Sequence, residues 1–94
     1  MTCQTQTLTK RLLNTAREIS ARGDIEQAER VYRKTLDIAS MEAGANSGLV
    51  GIALIEFFSF YEDQGKEEEA GAIWNLVRDL LMYHYPELMD TRKN

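Results

Sequence analysis

Five pairs of residues in this chain share a single offset. Leu12 and Leu54, Ile19 and Tyr61, Gly23 and Gly65, Ala28 and Ala70, and Tyr32 and Trp74 each stand 42 positions apart. The order within each unit is the same: a large apolar residue four positions before a glycine, then Ala five and an aromatic nine positions after it. Glycine closes a tight turn, a small residue lets two helices approach, and the aromatic fills the space between them. Self-similarity at this period is the mark of stacked helical hairpins, so the repeat predicts an all-α fold of two antiparallel hairpins and four helices.

The hydrophobic spacing agrees. Leu8, Leu12, Leu13, Ala16 and Ile19 recur every three or four residues and define a first helix that stops at Gly23. Asp24 is the expected N-cap of a second helix burying Ile25, Ala28, Val31, Tyr32, Leu36 and Ala39. A third helix, from about Ser47 to Gln64, is apolar nearly all round, and such a helix must be covered on several sides. After a turn at Gly65, the fourth helix carries Ala70, Ile73, Trp74, Val77, Leu80 and Leu81 and is expected to end at Pro86. The expected organisation is a tail over 1–7, one domain over 8–86 (hairpin 8–40, loop 41–47, hairpin 48–86) and a tail over 87–94.

These residues resemble the tetratricopeptide repeat family, in particular its longer-period variety found in kinesin light chains. The second unit, Tyr61-Glu62-Asp63-Gln64-Gly65-Lys66-Glu67-Glu68-Glu69-Ala70 followed by Trp74, carries the closer match. The first contributes Ala16, Ile19, Gly23, Asp24, Glu26, Ala28 and Tyr32. Two departures stand out: Phe58 occupies the place where the family has a small residue, as Ala16 does in the first unit, and Ser40 replaces a closing proline. The resemblance implies right-handed superhelical stacking and a groove, lined by the first helix of each hairpin, that binds a peptide or a helix. Carried across, that groove comprises Lys10, Leu13, Arg17 and Ser20 with Ile52, Ile55, Ser59 and Glu62. Members that hold a chaperone's terminal carboxylate use a Lys and Asn clamp; Leu13 and Arg17 stand at the matching places, so that clamp is missing.

With 94 residues, 44% apolar and 28% charged, the composition is that of one folded domain rather than a disordered chain. Two hairpins fall short of the three or so units that usually bury a continuous repeat core. The apolar surplus of the third and fourth helices is therefore expected to be covered by a second copy, with Phe57, Phe60, Met82, Tyr83 and Tyr85 at the interface of a homodimer.

Charge divides along the chain: residues 1–40 carry +2 and residues 41–94 carry −6. Such a dipolar pattern can steer association, and it can equally be a set of solvated helix faces. Arg30, Arg33 and Lys34 cluster on one side of the second helix and leave a small nucleic-acid-binding regulator as an alternative function. A sequence pI near 4.9 and the lack of aromatics among those bases weigh against it.

No catalytic residue, metal site or cofactor is expected. His84 is the sole histidine and Cys3 the sole cysteine, so neither has a partner of its own kind for metal binding or a disulfide. Glu67-Glu68-Glu69 opens a helix, where negative charge is favourable without any ligand. The longest apolar run, Leu49 to Tyr61, contains Glu56 and is shorter than the roughly 20 residues that span a bilayer. A non-catalytic protein-binding adaptor in a reducing, cytoplasmic setting is the function expected from the sequence, with a purely structural oligomerisation unit as the other alternative.

Overall fold

The computed structural model describes residues 7–89. Within them the chain is all-helical: α1 (Leu8–Ala21), α2 (Ile25–Ala43), α3 (Gly48–Asp63), α4 (Glu67–His84) and a closing 3-10 turn (Pro86–Met89). Cys3 and the expected tails lie outside the described residues, except for Thr7 and the 3-10 turn. α1 packs on α2, α2 on α3 and α3 on α4, with a smaller contact between α1 and α3.

Local chemistry explains the boundaries. Thr7, Asp24 and Ser47 each cap a helix by accepting a side-chain hydrogen bond from the backbone N–H three residues on. The two paired glycines close the hairpins with the same bonds. The Gly23 N–H donates to Ser20 O and the Asp24 N–H to Ile19 O; the Gly65 N–H donates to Glu62 O and the Lys66 N–H to Tyr61 O. This is a Schellman cap, which requires a left-handed residue; φ is +93° at Gly23 and +72° at Gly65. Ile19 and Tyr61, paired in the repeat, therefore supply the terminal carbonyls of their helices.

One boundary differs from the sequence expectation. α2 runs to Ala43, so the connection between hairpins is Gly44 to Ser47 rather than 41–47. Met41, Glu42 and Ala43 favour helix, and Glu42 is anchored across the hairpin. Its carboxylate accepts the Leu8 N–H (3.1 Å), the Thr9 N–H (3.2 Å) and the Thr9 hydroxyl (2.7 Å). The last turn of α2 thus caps the first turn of α1, where unpaired N–H groups and the helix dipole favour a negative charge. These bonds, led by the Thr9 hydroxyl, hold the Glu42 carboxyl below its ordinary pKa. In the second hairpin the residue 42 positions on, His84, reaches back in the same sense to Asn46 O.

The core is centred on α3. Ala16 and Ala28 are fully buried where α1 and α2 cross, as expected of small residues at a close approach. Tyr32, 3% exposed, lies between the hairpins, stacks on Phe57 at 5.4 Å and meets Phe60 at a tilt at 5.0 Å, while Phe57 stacks on Tyr61 at 4.6 Å. Each buried aromatic contributes about 2 to 3 kcal/mol of hydrophobic free energy, and each ring pair a further ~1 kcal/mol. Phe57 and Phe60 therefore belong to the monomer's own core, which corrects their expected place at an oligomer interface. α2 covers the side of α3 that was assigned to a second copy.

Candidate functional site

Two adjoining depressions lie on the face made by α1 and α3. One, of about 370 Å³, is lined by Lys10, Leu13, Asn14, Arg17, Ile52 and Glu56. The other, of about 330 Å³, includes Arg17, Ser20, Ser59 and Asp63, with Tyr32 and Phe60 beneath them. Six of the eight residues expected in a groove thus come together: Lys10, Leu13, Arg17, Ser20, Ile52 and Ser59. Ile55 and Glu62 are exposed on α3 outside both depressions. Leu13 is nearly fully buried, so it forms floor rather than wall.

Helical spacing places these side chains. Lys10, Leu13 and Arg17 follow one another at three and four residues along α1, while Ile52, Glu56 and Ser59 do so along α3. The floor is apolar and the rim is charged with both signs. Arg17 and Glu56, paired at 2.8 Å, form the divide between the two depressions. Arg17 also donates to Asn14 Oδ1, which fixes its guanidinium over the α1 surface. Lys10 has no carboxylate within 4 Å among the described residues. Both cations line the same depression but are not equivalent: Lys10 is without an ion pair among the described residues, whereas Arg17 is already held by Glu56. Exposed ion pairs are worth at most about 1 kcal/mol, so a partner's carboxylate can compete for Arg17 at small cost. Burial, and then the negative charge of Glu56, raise the pKa of Tyr32 beneath the groove, so the phenol stays neutral.

Sequence reasoning missed a polar link between the hairpins behind this groove. The Tyr61 hydroxyl donates to Glu29 Oε2, which also accepts Arg33 Nη2 at 2.9 Å; Arg33 Nη2 lies 3.3 Å from the Tyr61 oxygen. Burial and the bond to Glu29 push the Tyr61 phenol up to about 12, and the Tyr61 hydrogen bond and Arg33 hold Glu29 below its usual value. Arg33 is thereby withdrawn from the basic cluster weighed as a nucleic-acid surface. Arg30 leans on Gln27 at 3.3 Å, and Glu26 and Glu29 share the same shallow depression with Arg30 and Arg33. That side of α2 is mixed in charge rather than basic.

On the other side of the molecule, Leu36, Val50, Leu54, Leu76 and Leu80 surround an apolar depression of about 270 Å³ closed at one end by Ala45 and Asn46. Gly51 permits this packing, since a Cβ there would stand 3.2 Å from Leu80 Cδ2. Exposed apolar side chains are concentrated on the second hairpin: Ile52, Ile55, Trp74, Leu76, Leu81, Met82, Tyr83 and Tyr85. Trp74 departs from the sequence expectation. Its counterpart Tyr32 is buried under α3, but Trp74 is 47% exposed and rests on half-buried Phe58 at 5.5 Å, because no helix among the described residues packs over it. Of the expected repeat-packing set, Ala16, Ile19, Ala28, Tyr32, Leu54, Tyr61 and Ala70 are buried, and Leu12 is half-buried.

Among the described residues no three His, Cys, Asp or Glu side chains are grouped so as to hold a metal, and no helix is long and apolar enough to cross a membrane. No protein-family description, curated protein or solved structure matches this chain.

Proposed function

We propose that this chain is a non-catalytic protein-binding adaptor of tetratricopeptide-repeat type, acting in a reducing, cytoplasmic setting, whose α1–α3 groove receives a peptide or helix with acidic and apolar side chains. The observation that carries this reading is the groove itself: an apolar floor of Leu13, Tyr32 and Phe60 beneath a rim on which Lys10 has no ion pair among the described residues and Arg17 is held by a partly exposed pair with Glu56 and by Asn14. The depressions are open and each is at the small end of ligand-pocket volumes, which suits successive side chains of an extended partner better than an enclosed small molecule. Both cations favour a carboxylate-bearing ligand.

Selection from a displayed library of short peptides tests this on the full chain. Ligands rich in Asp or Glu beside an apolar residue are expected, and Lys10→Glu combined with Arg17→Glu should weaken them by at least about tenfold, or about 1.4 kcal/mol. Ligands indifferent to that double change, or competed by substitutions on α2 and α4 instead, would refute the groove reading.

A second property belongs to the same reading. The exposed Trp74, Leu81 and Met82 on α4, with Tyr85 at its C-cap, favour self-association, since exposed apolar patches mark interaction surfaces. The homodimer so formed leaves the α1–α3 groove to the partner.

A further inference from the structure

The 42-residue register identifies what the exposed end of the second hairpin lacks. In the first hairpin Leu13, Tyr32 and Ala39 are buried, and α3 packs against that hairpin. The residues 42 positions on are Ile55, Trp74 and Leu81, and all three are exposed. The second hairpin thus repeats an apolar face that a helix covers in the first and that no helix among the described residues covers here.

The exposed side of α4 indicates which helix fits. Glu67, Gly71, Trp74, Arg78 and Leu81 follow one another at intervals of four and three residues, the spacing of a helix–helix seam, and all five are exposed. Turning the first four of these, Glu67, Gly71, Trp74 and Arg78, through a two-fold axis between positions 72 and 73 brings them onto themselves antiparallel, with Leu81 beyond the overlap. Trp74 then meets Gly71 of the second copy and Arg78 meets Glu67 of the second copy, each contact occurring twice. Gly71 has nothing within 4 Å of where a Cβ would stand, so it offers a notch to an indole. Neither Glu67 nor Arg78 has an ion-pair partner within 4 Å among the described residues of its own chain. The two Glu–Arg pairs lie 11 residues apart along the helix, about 16 Å, and bracket the tryptophans.

We infer that the occupant of this face is a second copy of the chain, docked through α4 against α4 in antiparallel two-fold fashion, with Trp74 seated on Gly71 and Arg78 paired to Glu67 across the interface. This rests on the self-association half of the reading above, is independent of the groove, and adds the register. Isologous pairing of one surface patch with itself is the commonest closed assembly, and the charges of this stripe complement one another only in the antiparallel sense. Phe58 backs Trp74 and holds it on the face.

The test is light scattering of the full chain across a wide concentration range, with emission of Trp74, the only tryptophan in the sequence, recorded in parallel. The wild-type chain should be a dimer whose emission shifts to the red on dilution as the indole becomes exposed. Arg78→Glu and Glu67→Arg should each weaken the dimer by about tenfold or more, by placing like charges opposite one another twice. Both changes together should restore it to within a few-fold of wild type, an outcome that only cross-pairing of these two positions produces. Both side chains are solvent-exposed, and unchanged helical circular dichroism verifies that the variants fold. A dimer indifferent to the single changes, or not rescued by the double change, would overturn the α4 register while leaving self-association standing. A monomer at every concentration would overturn both.

Discussion

Replacing Tyr61 with Phe removes one hydroxyl and leaves the ring stack with Phe57 in place, so it isolates the polar link between the hairpins. The hydroxyl is lost from a bond to a carboxylate, the kind worth about 1.5 to 3 kcal/mol, but Arg33 remains on Glu29 and offsets part of the loss. A cost of about 1 to 2 kcal/mol at neutral pH follows. The pH dependence is more diagnostic. The folded-state value of about 12 lies above the ordinary phenol value of 10.0. Below pH 10 the phenol is protonated folded or unfolded, and its contribution is fully present. Between pH 10 and 12 the unfolded chain releases the proton while the native chain retains it, so stability falls as pH rises, by about 1 kcal/mol at pH 11 and about 2 to 3 kcal/mol at pH 12. Urea unfolding of wild type and Tyr61→Phe at successive pH values from 8 to about 11.5 measures the difference directly. Alkaline effects common to both chains, including the raised Tyr32, cancel in that difference. The two stabilities should converge as pH rises above 10. A gap that stays constant over this range would refute the assignment of a buried phenol donating to Glu29.

Phe57→Ala should lower stability by about 3 to 5 kcal/mol, a large share of the roughly 5 to 15 kcal/mol available to a domain of this size. Because Phe57 lies inside the monomer, the loss in the denaturant midpoint should not depend on protein concentration; a concentration-dependent loss would return Phe57 to an interface. Glu42→Gln should destabilise the start of α1 and flatten the acid limb of the stability curve. A carboxyl whose folded pKa is depressed stabilises above its ordinary value of 4.5 and loses that contribution as pH falls through the lower folded value. Amide exchange at Leu8 and Thr9 should quicken in this variant, and unchanged protection there would sink the clamp.

The features legible in the sequence were those that depend on residues close in the chain. Gly23 and Gly65 could be recognised because a left-handed helix end has few other solutions, and Asp24 because a cap acts within three residues. Ala16, Ala28 and Tyr32 were legible through the repeat. Contacts made across the hairpins were not. Glu42 lies 33 and 34 residues from the groups it caps, and Glu29 lies 32 from Tyr61, so periodicity holds no trace of either pair. A carboxylate in the last turn of a second helix, level with the start of the first, is the one signal that could have suggested the clamp. Phe57 and Phe60 were misplaced for a related reason: a helix apolar all round reveals that every side needs cover, but not whether the cover comes from α2 or from another molecule. The groove was six-eighths legible, because spacing along α1 and α3 fixes which residues share a face. Glu56, which divides it, was passed over because its role depends on Arg17 of another helix.

Contacts in this molecule run chiefly between helices adjacent in the chain, and the aromatic seam of Tyr32 with Phe57 and Phe60 is the principal apolar bond between its halves. A chain organised in this way behaves as a short linear array, in which each hairpin has its own intrinsic stability and the seam supplies the coupling. The strength of that one junction therefore decides whether the chain unfolds in a single cooperative step or opens one hairpin at a time. Each hairpin closes over a short stretch of chain, so little loop entropy is lost before native contacts form, and rapid folding of either half ahead of the seam is the kinetic consequence of the repeat.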